Sequence, residues 1–566
     1  YSSAASDVYK RQLLELGLSS IVIMRLVNQW RKQGVKVAFG TLMEHPTLNE
    51  WWEIIQKSMK KKEKKAKAEK QERIPERDMR ESFPLTDVQY AYWVGREDNQ
   101  VLGGIGCHAY LEFDGNSVEA GRLEAAWNQL QYHHPMLRAC FTEDGMQKIQ
   151  ERPFSEKLPV NDYSKMLEEE AYRKAEEVRE RLSHRKLQIE KGEVAGVELT
   201  LLPSGKTRIH IDMDLLIADV QSLQILLKDL VATYNGEKLS EESKDWNFVA
   251  YLEKQATDDR EEKEKAKDYW RKRLDTLPKG PELPLAKRPE EVKKTVFHRR
   301  IVRIAKKEWE ALQSKAKEYQ TTPAMLLLTV YATVLERWSR NKRFLINIPF
   351  FNRKTEYQGI EEVIADFTTL LLLEVDCENN PTFLELLGRI QKQLHEDMKY
   401  TAYSGVQVQR DLTKKYGDSS ASAPVVFACN LGTPLVNERF KETLGIFSYM
   451  ISQTPQVWND FQSYEDEDGV QLTWDSVDAL FPESMVEDMM KSFENLLHQL
   501  TEKSWNQRFD LLPESRREAL EEMRRTGVPE NPQCLHTAFL KCAEELPQKT
   551  ALEDTGYGKT ITYREL

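Results

Sequence analysis

The sequence predicts a mixed α/β protein, and two adjoining patterns in one stretch carry that prediction. Between Ile209 and Asp214 apolar and polar residues alternate, which is the period of a half-buried strand. Beyond Asp219 apolar residues recur three and four positions apart, which predicts one face of a helix that ends at Asn235-Gly236. The chain has 566 residues, 40% of them hydrophobic. This is enough for a large core, and the length is typical of roughly three or four domains.

The same stretch places polar side chains where the predicted strand gives way to the helix. On one interpretation Asp219 or Ser222 caps the free amides of the helix, and Asp214 is solvated at the strand end. On the other, these side chains form a functional strand–loop–helix site, because charge and exposed amides converge there. Spacing alone leaves both interpretations open.

Composition and charge argue against several classes of protein. Charged residues make up 31% of the chain and the net charge is −11, which argues against a general nucleic-acid binder. No apolar run approaches the ~18 residues of a membrane span, and no basic-then-apolar signal pattern opens the chain. The six cysteines include no C-x-x-C pair and no metal-ligand spacing. We therefore expect reduced thiols in a cytoplasmic protein, without a metal site and without a membrane partner.

The beginning of the chain contains a candidate attachment site. Residues 1–12 show no usable periodicity, and we interpret them as a non-native leader. Residues 13–56 contain L-G-x-x-S-I, with Ser20 at the start of an apolar helical face. A serine at that place is commonly an N-cap, but the stretch resembles the signature of acyl carrier domains. Pro46-Thr47-Leu48 and Trp51-Trp52 resemble the aryl-carrier subtype in particular.

The carrier resemblance implies a cofactor and a partner. Ser20 would carry 4′-phosphopantetheine, attached by a phosphopantetheinyl transferase, although the family usually has Asp where this chain has Ser19. The first carrier helix is absent, so we expect only part of the domain. Residues 57–79 then begin with a run of Lys and Glu that is almost free of apolar side chains. Such a run is typical of a solvated linker or an exposed helix, and we expect a tether between the carrier and the catalytic domain.

The longest segment, 80–505, contains seven stretches in order that resemble the motifs of heterocyclization domains of non-ribosomal peptide synthetases. The third is D-x-x-x-x-D-x-x-S, formed by Asp214, Asp219 and Ser222, where ordinary condensation domains carry H-H-x-x-x-D-G. The other six are Phe83-Pro84-Leu85-Thr86 with Gln89, Ala91-Tyr92 and Gly95-Arg96, then His134-Pro135-Met136-Leu137-Arg138, Pro278 to Leu285, Thr322-Pro323 with Tyr331, Val334-Leu335 and Trp338-Ser339, Asp366-Phe367-Thr368 with Leu370 and Val375-Asp376, and Pro424 to Gly432.

This resemblance implies a fold and a reaction. The family fold has two chloramphenicol-acetyltransferase-like lobes that meet in a V, with a tunnel that carrier domains enter from both sides. The family reaction joins an upstream acyl thioester to a carrier-bound Cys, Ser or Thr as an amide. The side chain then attacks the new carbonyl, and loss of water gives a thiazoline or oxazoline. An aryl acid would come from a stand-alone adenylating enzyme, as in synthetases of the pyochelin and yersiniabactin siderophore type.

Two further positions bear on the ring-closing step. The family associates this step with an aspartate in a Q-T-P-Q-V-W-x-D stretch, which implies Asp460 here, and with a threonine that this chain replaces by Ala428. Ring closure needs a positioned proton shuttle, because an amide is a poor electrophile and hydroxide a poor leaving group. Either Asp460 acts with another group, for which we considered Cys429, Asn430 and Gln456, or only condensation remains. Asp214 and Asp219 are expected to be essential, for instance by pairing with an arginine, without an assigned proton.

The end of the chain resembles the start of an adenylation domain. Residues 506–530 form a polar join, and 531–566 stop at the first core motif of that domain, so we expect no amino-acid activation. Three hypotheses follow for the whole chain. It is a heterocyclization enzyme, an enzyme that condenses without ring closure, or a non-catalytic docking fragment in which the aspartates are caps.

Overall fold

The computed structural model describes residues 30, 42, 47–65, 81–239, 247–258, 260–353, 359–417, 423–432, 434–512, 514–525, 534, 536–554 and 558–566. The chain divides into two compact units, Tyr1–Leu511 and Leu512–Leu566. Ser20 and residues 1–12 lie outside the described residues.

The first half of the larger unit alternates short strands and helices. Its elements are α1 Leu48–Lys65, β1 Phe83–Pro84, α2 Asp87–Gly95, β2 His108–Asn116, α3 Ala120–His133, β3 Ala139–Phe141, β4 Met146–Ile149, β5 Val160–Asp162, α4 Glu168–Ser183, β6 Ala195–Leu201, β7 Lys206–Asp214, α5 Val220–Tyr234, α6 Phe248–Asp258 and α7 Arg260–Arg273.

The second half of this unit repeats the mixture around a second sheet. Its elements are β8 His298–Ala305, α8 Lys306–Glu318, α9 Pro323–Trp338, β9 Arg343–Phe351, β10 Thr368–Asp376, α10 Phe383–Asp397, α11 Gly405–Tyr416, β11 Val425–Asn430, α12 Glu438–Thr443, β12 Ile446–Gln453, β13 Asn459–Asp466, β14 Gly469–Ser476 and α13 Met485–Glu502. The smaller unit contains α14 Glu514–Arg524, α15 Thr537–Glu545 and an antiparallel hairpin of β15 Thr550–Asp554 and β16 Lys559–Thr562.

Two sheets organise the larger unit. A five-stranded sheet has the order β12-β2-β7-β6-β5, and a six-stranded sheet has the order β10-β9-β11-β13-β14-β8. A small sheet of β1, β4 and β3 accompanies the first. Strand β12 follows β11 in the chain but pairs with β2, so the second half of the chain completes the first sheet. Two large buried apolar clusters lie around these sheets, which confirms the mixed α/β class and agrees with the two-lobed fold.

The strand and helix predicted around Asp214 are confirmed, with one correction. Strand β7 ends at Asp214, and α5 starts after Asp219 with its predicted apolar face buried. However, β7 is buried on both faces rather than on one. The charged face is covered because arginines bind its carboxylates, as Arg179 binds Glu112 on β2 and Arg185 binds Asp212 on β7. Alternation of apolar and polar residues shows that the two faces of a strand differ chemically. It does not show that the polar face is exposed to solvent, because ion pairs allow charged side chains to be buried.

Three general expectations can be compared with the structure. Among the described residues no helix is long and apolar enough to cross a membrane. Within the same residues no group of three or more His, Cys, Asp or Glu side chains is arranged to hold a metal ion. All six cysteines are free thiols.

Candidate active site

Asp214 is buried against an arginine instead of being solvated at the strand end. Its side chain is 0% exposed, and Arg96 at the end of α2 forms an ion pair with Oδ2. The second oxygen, Oδ1, accepts a hydrogen bond from the backbone amide of Leu216 at 3.1 Å. Burial raises the pKa of this carboxyl, and the guanidinium of Arg96 opposes the rise. Asp214 therefore anchors the loop that follows β7 to helix α2.

The opening motif has a local explanation in the same contact. Thr86 and Gln89 form a capping box at the start of α2. The amide of Gln89 then donates to the carbonyl of Leu216 at 2.6 Å, next to the Asp214 anchor. Gly95 lies against Pro455, where a Cβ atom would come within 2.5 Å of the proline Cβ. The motif residues thus hold α2 against both the loop after β7 and the segment that leads to Asp460.

Asp219 caps helix α5 and also binds an arginine, so both predicted roles occur together. Its Oδ1 accepts a hydrogen bond from the amide of Ser222 at 2.7 Å. Arg353 donates to the same carboxylate at 2.7 Å and to Oγ of Ser222 at 2.7 Å. The hydroxyl of Ser222 in turn donates to the carbonyl of Ala365 at 2.8 Å and accepts from its amide at 3.1 Å. We call Asp219, Ser222, Arg353 and Ala365 the clamp, because it fixes the chain before β10 to the start of α5.

The clamp places a carboxyl that sequence reasoning did not single out as a site residue. Asp366 follows Ala365 directly and is 1% exposed. Its Oδ1 accepts from the amide of Thr368 at 2.9 Å, and its Oδ2 has no hydrogen-bond partner within the described part of the chain. Burial raises the pKa of Asp366 to about 8, and the nearby carboxylate of Asp219 adds to the rise. The sequence signal for Asp366 is the motif Asp366-Phe367-Thr368, which carries the family resemblance but does not by itself indicate a chemical role.

Asp460, the second residue of β13, is also buried and carries no ion pair in the described residues. Its Oδ2 accepts a hydrogen bond from Nε2 of Gln462 at 2.8 Å, while Oδ1 has no partner there. Burial raises the pKa of Asp460 to about 7, with a contribution from the neighbouring carboxylate of Asp475. Burial also raises the pKa of Asp475, and the guanidinium of Arg299, which is paired with it, opposes that rise. Asp460 therefore titrates near neutrality, as a proton shuttle requires.

Gln462 is the polar partner of Asp460 and was not among the predicted candidates. Its Oε1 accepts from Arg299 at 3.1 Å and from the hydroxyl of Tyr464 at 2.7 Å. Since both neighbours are donors, the amide nitrogen of Gln462 must face Asp460. Period-two alternation along β13 places Asp460, Gln462 and Tyr464 on one face of the strand. That alternation was the available sequence signal.

The residues that could act with Asp460 in place of the family's threonine do not lie beside its carboxyl. Strand β11 runs parallel to β13, and Val426 is the residue opposite Asp460, while Ala428 is opposite Gln462. Asn430 is opposite Tyr464, four residues along the strand from Asp460, or roughly 13 Å at the rise of a strand. Cys429 contacts Ser463 at 3.4 Å, and Gln456 is exposed. The register thus brings none of Cys429, Asn430 or Gln456 to the Asp460 carboxyl.

A further polar residue lies on the other side of Val426. Asn347 on β9 is paired with Val426 on β11, so Asn347 and Asp460 flank the same residue from its two neighbouring strands. Asn347 is 9% exposed, and its Oδ1 has no hydrogen-bond partner in the described structure. The two residues are therefore two strand spacings apart, or roughly 10 Å between their backbones.

Tyr92 and Cys107 both respond to the two unpaired carboxyls. Burial raises the pKa of the Tyr92 hydroxyl and of the Cys107 thiol, and the carboxylates of Asp366 and Asp460 add to the rise for both groups. The Cys107 sulfur also contacts Oγ1 of Thr454 at 3.6 Å. Asp366 and Asp460 therefore act on a shared interior region, which we call the two-carboxyl chamber and define by Tyr92, Cys107, Asp366 and Asp460.

Two family matches cover most of the chain. Residues 79–520 match the family described as Condensation domain, and residues 5–55 match the family described as Phosphopantetheine attachment site. The second match confirms 4′-phosphopantetheine as the cofactor, whereas Ser20 as its attachment residue stays a prediction.

Two synthetases illustrate the sequence similarity. The chain is 36% identical over 548 residues to pyochelin synthetase PchE of Pseudomonas aeruginosa strain UCBPP-PA14, a match that covers 95% of this chain and 37% of that protein. It is 34% identical over 547 residues to phenyloxazoline synthase MbtB of Mycolicibacterium paratuberculosis, covering 95% of this chain and 46% of that protein. The chain thus spans less than half the length of either synthetase.

A solved structure shares the fold of the larger unit. The EpoB NRPS cyclization-docking bidomain from Sorangium cellulosum superimposes with a TM-score of 0.70 at 28% identity, over 80% of this chain and 93% of that chain. The chain therefore belongs to the condensation-domain family of non-ribosomal peptide synthetases.

Proposed function

We propose that this chain joins a carrier-bound aryl acyl thioester to a carrier-bound Cys, Ser or Thr and then cyclodehydrates the amide to a thiazoline or oxazoline. The observation that carries the ring-closing half is Asp460. It is a buried carboxyl without an arginine, held by Gln462 on one oxygen and unpaired on the other. Such a group can take and return a proton near neutral pH, which a purely structural carboxyl paired with arginine cannot.

Ring closure can be written with this group as the proton shuttle. The thiol or hydroxyl loses its proton to the Asp460 carboxylate as its sulfur or oxygen bonds to the amide carbon, and the carbonyl oxygen takes a proton from solvent. In the second stage the carbon–oxygen bond breaks, the oxygen leaves as water with the proton held by Asp460, and the nitrogen returns its proton to solvent as the C=N bond forms. The sum is loss of one water without oxidation or reduction.

Ala428 does not prevent this proposal, because Asp460 already has a polar partner. Gln462, across from Ala428 on the paired strand, donates to Asp460 and is itself oriented by Arg299 and Tyr464. Ala428 nevertheless favours one second candidate, amide condensation without ring closure, since its methyl group has no proton to give. Both candidates share the acyl-transfer step of the condensation family.

The names of the relatives support the substrate class. MbtB is described as a phenyloxazoline synthase and EpoB as a cyclization bidomain, so relatives of this chain include proteins named for ring formation and for a phenyl-substituted oxazoline. By this proposal 4′-phosphopantetheine on Ser20 supplies the thiol that holds the aryl group as a thioester. A stand-alone aryl-acid adenylating enzyme would load it, and a second carrier domain would present the amino acid.

A reconstituted reaction tests the proposal. The chain is loaded with a salicyl group, mixed with an L-cysteinyl carrier domain, and the carrier-bound product is measured by mass spectrometry. A product lighter by one water than the open-chain amide is expected. Accumulation of the open-chain amide would instead establish condensation alone, and absence of both products would contradict acyl transfer by this chain.

A further inference from the structure

Most buried aspartates in the described part of the chain are paired with arginine, whereas Asp366, like Asp460, is not. Burying a carboxylate is costly unless a cation or several donors accompany it. Five buried aspartates meet this requirement through an arginine, namely Asp212 with Arg185, Asp214 with Arg96, Asp219 with Arg353, Asp397 with Arg273 and Asp475 with Arg299. Asp366 is instead accompanied by Thr368, whose side chain and backbone amide lower its pKa and whose amide donates to Oδ1, while Oδ2 has no hydrogen-bond partner among the described residues.

Arg353, the arginine that acts electrostatically on Asp366, is already occupied. Arg353 directs its Nη2 to Asp219 and to Ser222, both at 2.7 Å, and its Nη1 to the carbonyl of Val363 at 2.6 Å. Its guanidinium also lies 4.1 Å from the ring centroid of Phe367. The arginine therefore fixes the chain on both sides of Asp366 without forming an ion pair with it.

The position of Asp366 is fixed on both sides. Ser222 bonds both backbone groups of the preceding Ala365, and the amide of Thr368 at the start of β10 bonds Oδ1. The charged and titratable groups that act on Asp366 or respond to it are Asp219 and Arg353 from the clamp and Tyr92 and Cys107 from the chamber. An immobile buried carboxyl with one free oxygen fits a ligand cation.

We propose that Asp366 receives the ammonium group of the incoming aminoacyl thioester and takes its proton before the amine attacks the acyl thioester. This inference rests on the acyl-transfer half of the proposed function and is independent of ring closure. The ammonium N–H proton passes to the Asp366 carboxylate and leaves a neutral amine. The amine nitrogen bonds to the thioester carbon, the carbon–sulfur bond breaks, and the thiol leaves with the proton that the nitrogen loses.

The proton affinities of the two groups suit this transfer. Burial raises the pKa of Asp366 to about 8, and an α-amino group has an ordinary pKa of about 7.7–8.0. A base and an acid of equal pKa exchange a proton with little free-energy cost. Asp214 and Asp219 differ from Asp366 because the carboxylate of each is held in a buried ion pair, with Arg96 and Arg353 respectively.

The rate of amide formation at a series of pH values tests the role assigned to Asp366. The chain carrying a salicyl thioester is mixed with an L-cysteinyl carrier domain under single-turnover conditions. For Asp366→Asn, which keeps the volume and the acceptor for Thr368, we expect a rate of amide formation lower by roughly 10²-fold at neutral pH. The defect should shrink above the pKa of the amine, because the amine then loses its proton without a base. Asp376→Asn is the matched control, because Asp376 lies at the other end of β10 with a side chain that is 45% exposed, and this variant should react like the wild type.

Two outcomes of that experiment would overturn the assignment. One is an Asp366→Asn chain that forms the amide at the wild-type rate, and the other is a defect of the same size at every pH, which indicates a structural role. Ring closure of a preformed salicyl-cysteinyl carrier substrate should be unchanged in Asp366→Asn. A failure of ring closure in the wild type therefore counts against the proposed cyclodehydration and leaves the Asp366 test intact.

A binding measurement on the wild type covers the case in which Asp366→Asn does not fold. The probes are alanyl-pantetheine amide, which carries an ammonium group and cannot transfer its acyl group, and the propionyl analogue that lacks the nitrogen. We expect the ammonium compound to bind at least about tenfold more tightly, as hydrogen bonding to a charged group implies. Equal affinities would refute the assignment.

Discussion

Nε2 of Gln462 donates a hydrogen bond to Oδ2 of Asp460 at 2.8 Å, and Oδ1 of the same carboxyl has no partner in the described structure. One half of the carboxyl is thus positioned by the protein, and the other half is open to a reacting group. The partner Gln462 is itself held by Arg299 and Tyr464. A proton shuttle needs this combination of a fixed orientation and a free oxygen.

Replacing Gln462 by Leu should change the pH dependence of ring closure. The hydrogen bond from Gln462 lowers the pKa of Asp460, which burial has raised to about 7. Its removal raises that pKa further. If the carboxylate form takes the first proton, ring closure increases as pH rises through the pKa, so the midpoint should move to higher pH in Gln462→Leu. Rates of ring closure on a preformed open-chain amide across the pH range measure this midpoint.

The control for that measurement is Gln471→Leu. Gln471 is a half-buried residue of β14 opposite Tyr464 and has no bond to Asp460 in the described structure. The pH midpoint of ring closure in Gln471→Leu should equal that of the wild type. If Gln462→Leu also has the wild-type midpoint, Asp460 does not set the pH dependence of ring closure.

Breaking the clamp should destabilise the protein strongly. Arg353 and Asp219 have side chains that are 3% and 0% exposed. Arg353→Ala leaves a buried carboxylate without its cation, which typically costs about 3–5 kcal/mol. Arg389→Ala removes a partly exposed ion pair with Asp376 at 3.8 Å, together with hydrogen bonds to the carbonyls of Asp376 and Glu378. Ion pairs at the surface contribute about 1 kcal/mol or less, so we expect a smaller loss than for Arg353→Ala. Urea denaturation compares the two variants, and equal losses of stability would contradict the buried role of the clamp.

Ser20 can be tested separately from the condensation domain. Ser20→Ala should abolish the mass increase that a phosphopantetheinyl transferase produces, because no hydroxyl remains to attack the cofactor. Ser19→Ala is the matched control and should load normally. Loading of Ser20→Ala would show that another residue carries the cofactor.

Local sequence patterns were sufficient for part of this site. The change of period at Asp219 predicted the strand, the cap and the helix, because each depends on contacts only a few residues apart. We also expected an arginine to pair with the acidic motif. Which arginine does so was not predictable, since Arg96 and Arg353 lie 118 and 134 residues from their partners in sequence.

The residues that were missed depend on strand register. Asn347 becomes a candidate site residue through strand pairing alone. Strand β9 places it next to Val426, and Val426 is paired on its other side with Asp460. Asn430 was proposed from its closeness in sequence to Ala428, but the parallel pairing of β11 with β13 places it beside Tyr464. A sequence motif records which residues occur together and leaves open which strands bring them together.

The most direct test of the central claim is the single-turnover rate of ring closure in Asp460→Asn. The substrate is the preformed salicyl-cysteinyl amide on its carrier domain, so that condensation is bypassed, and the product is followed by loss of one water. The account predicts a rate lower by roughly 10²-fold or more, with amide formation from separate substrates unchanged. Ring closure at the wild-type rate in Asp460→Asn would contradict it.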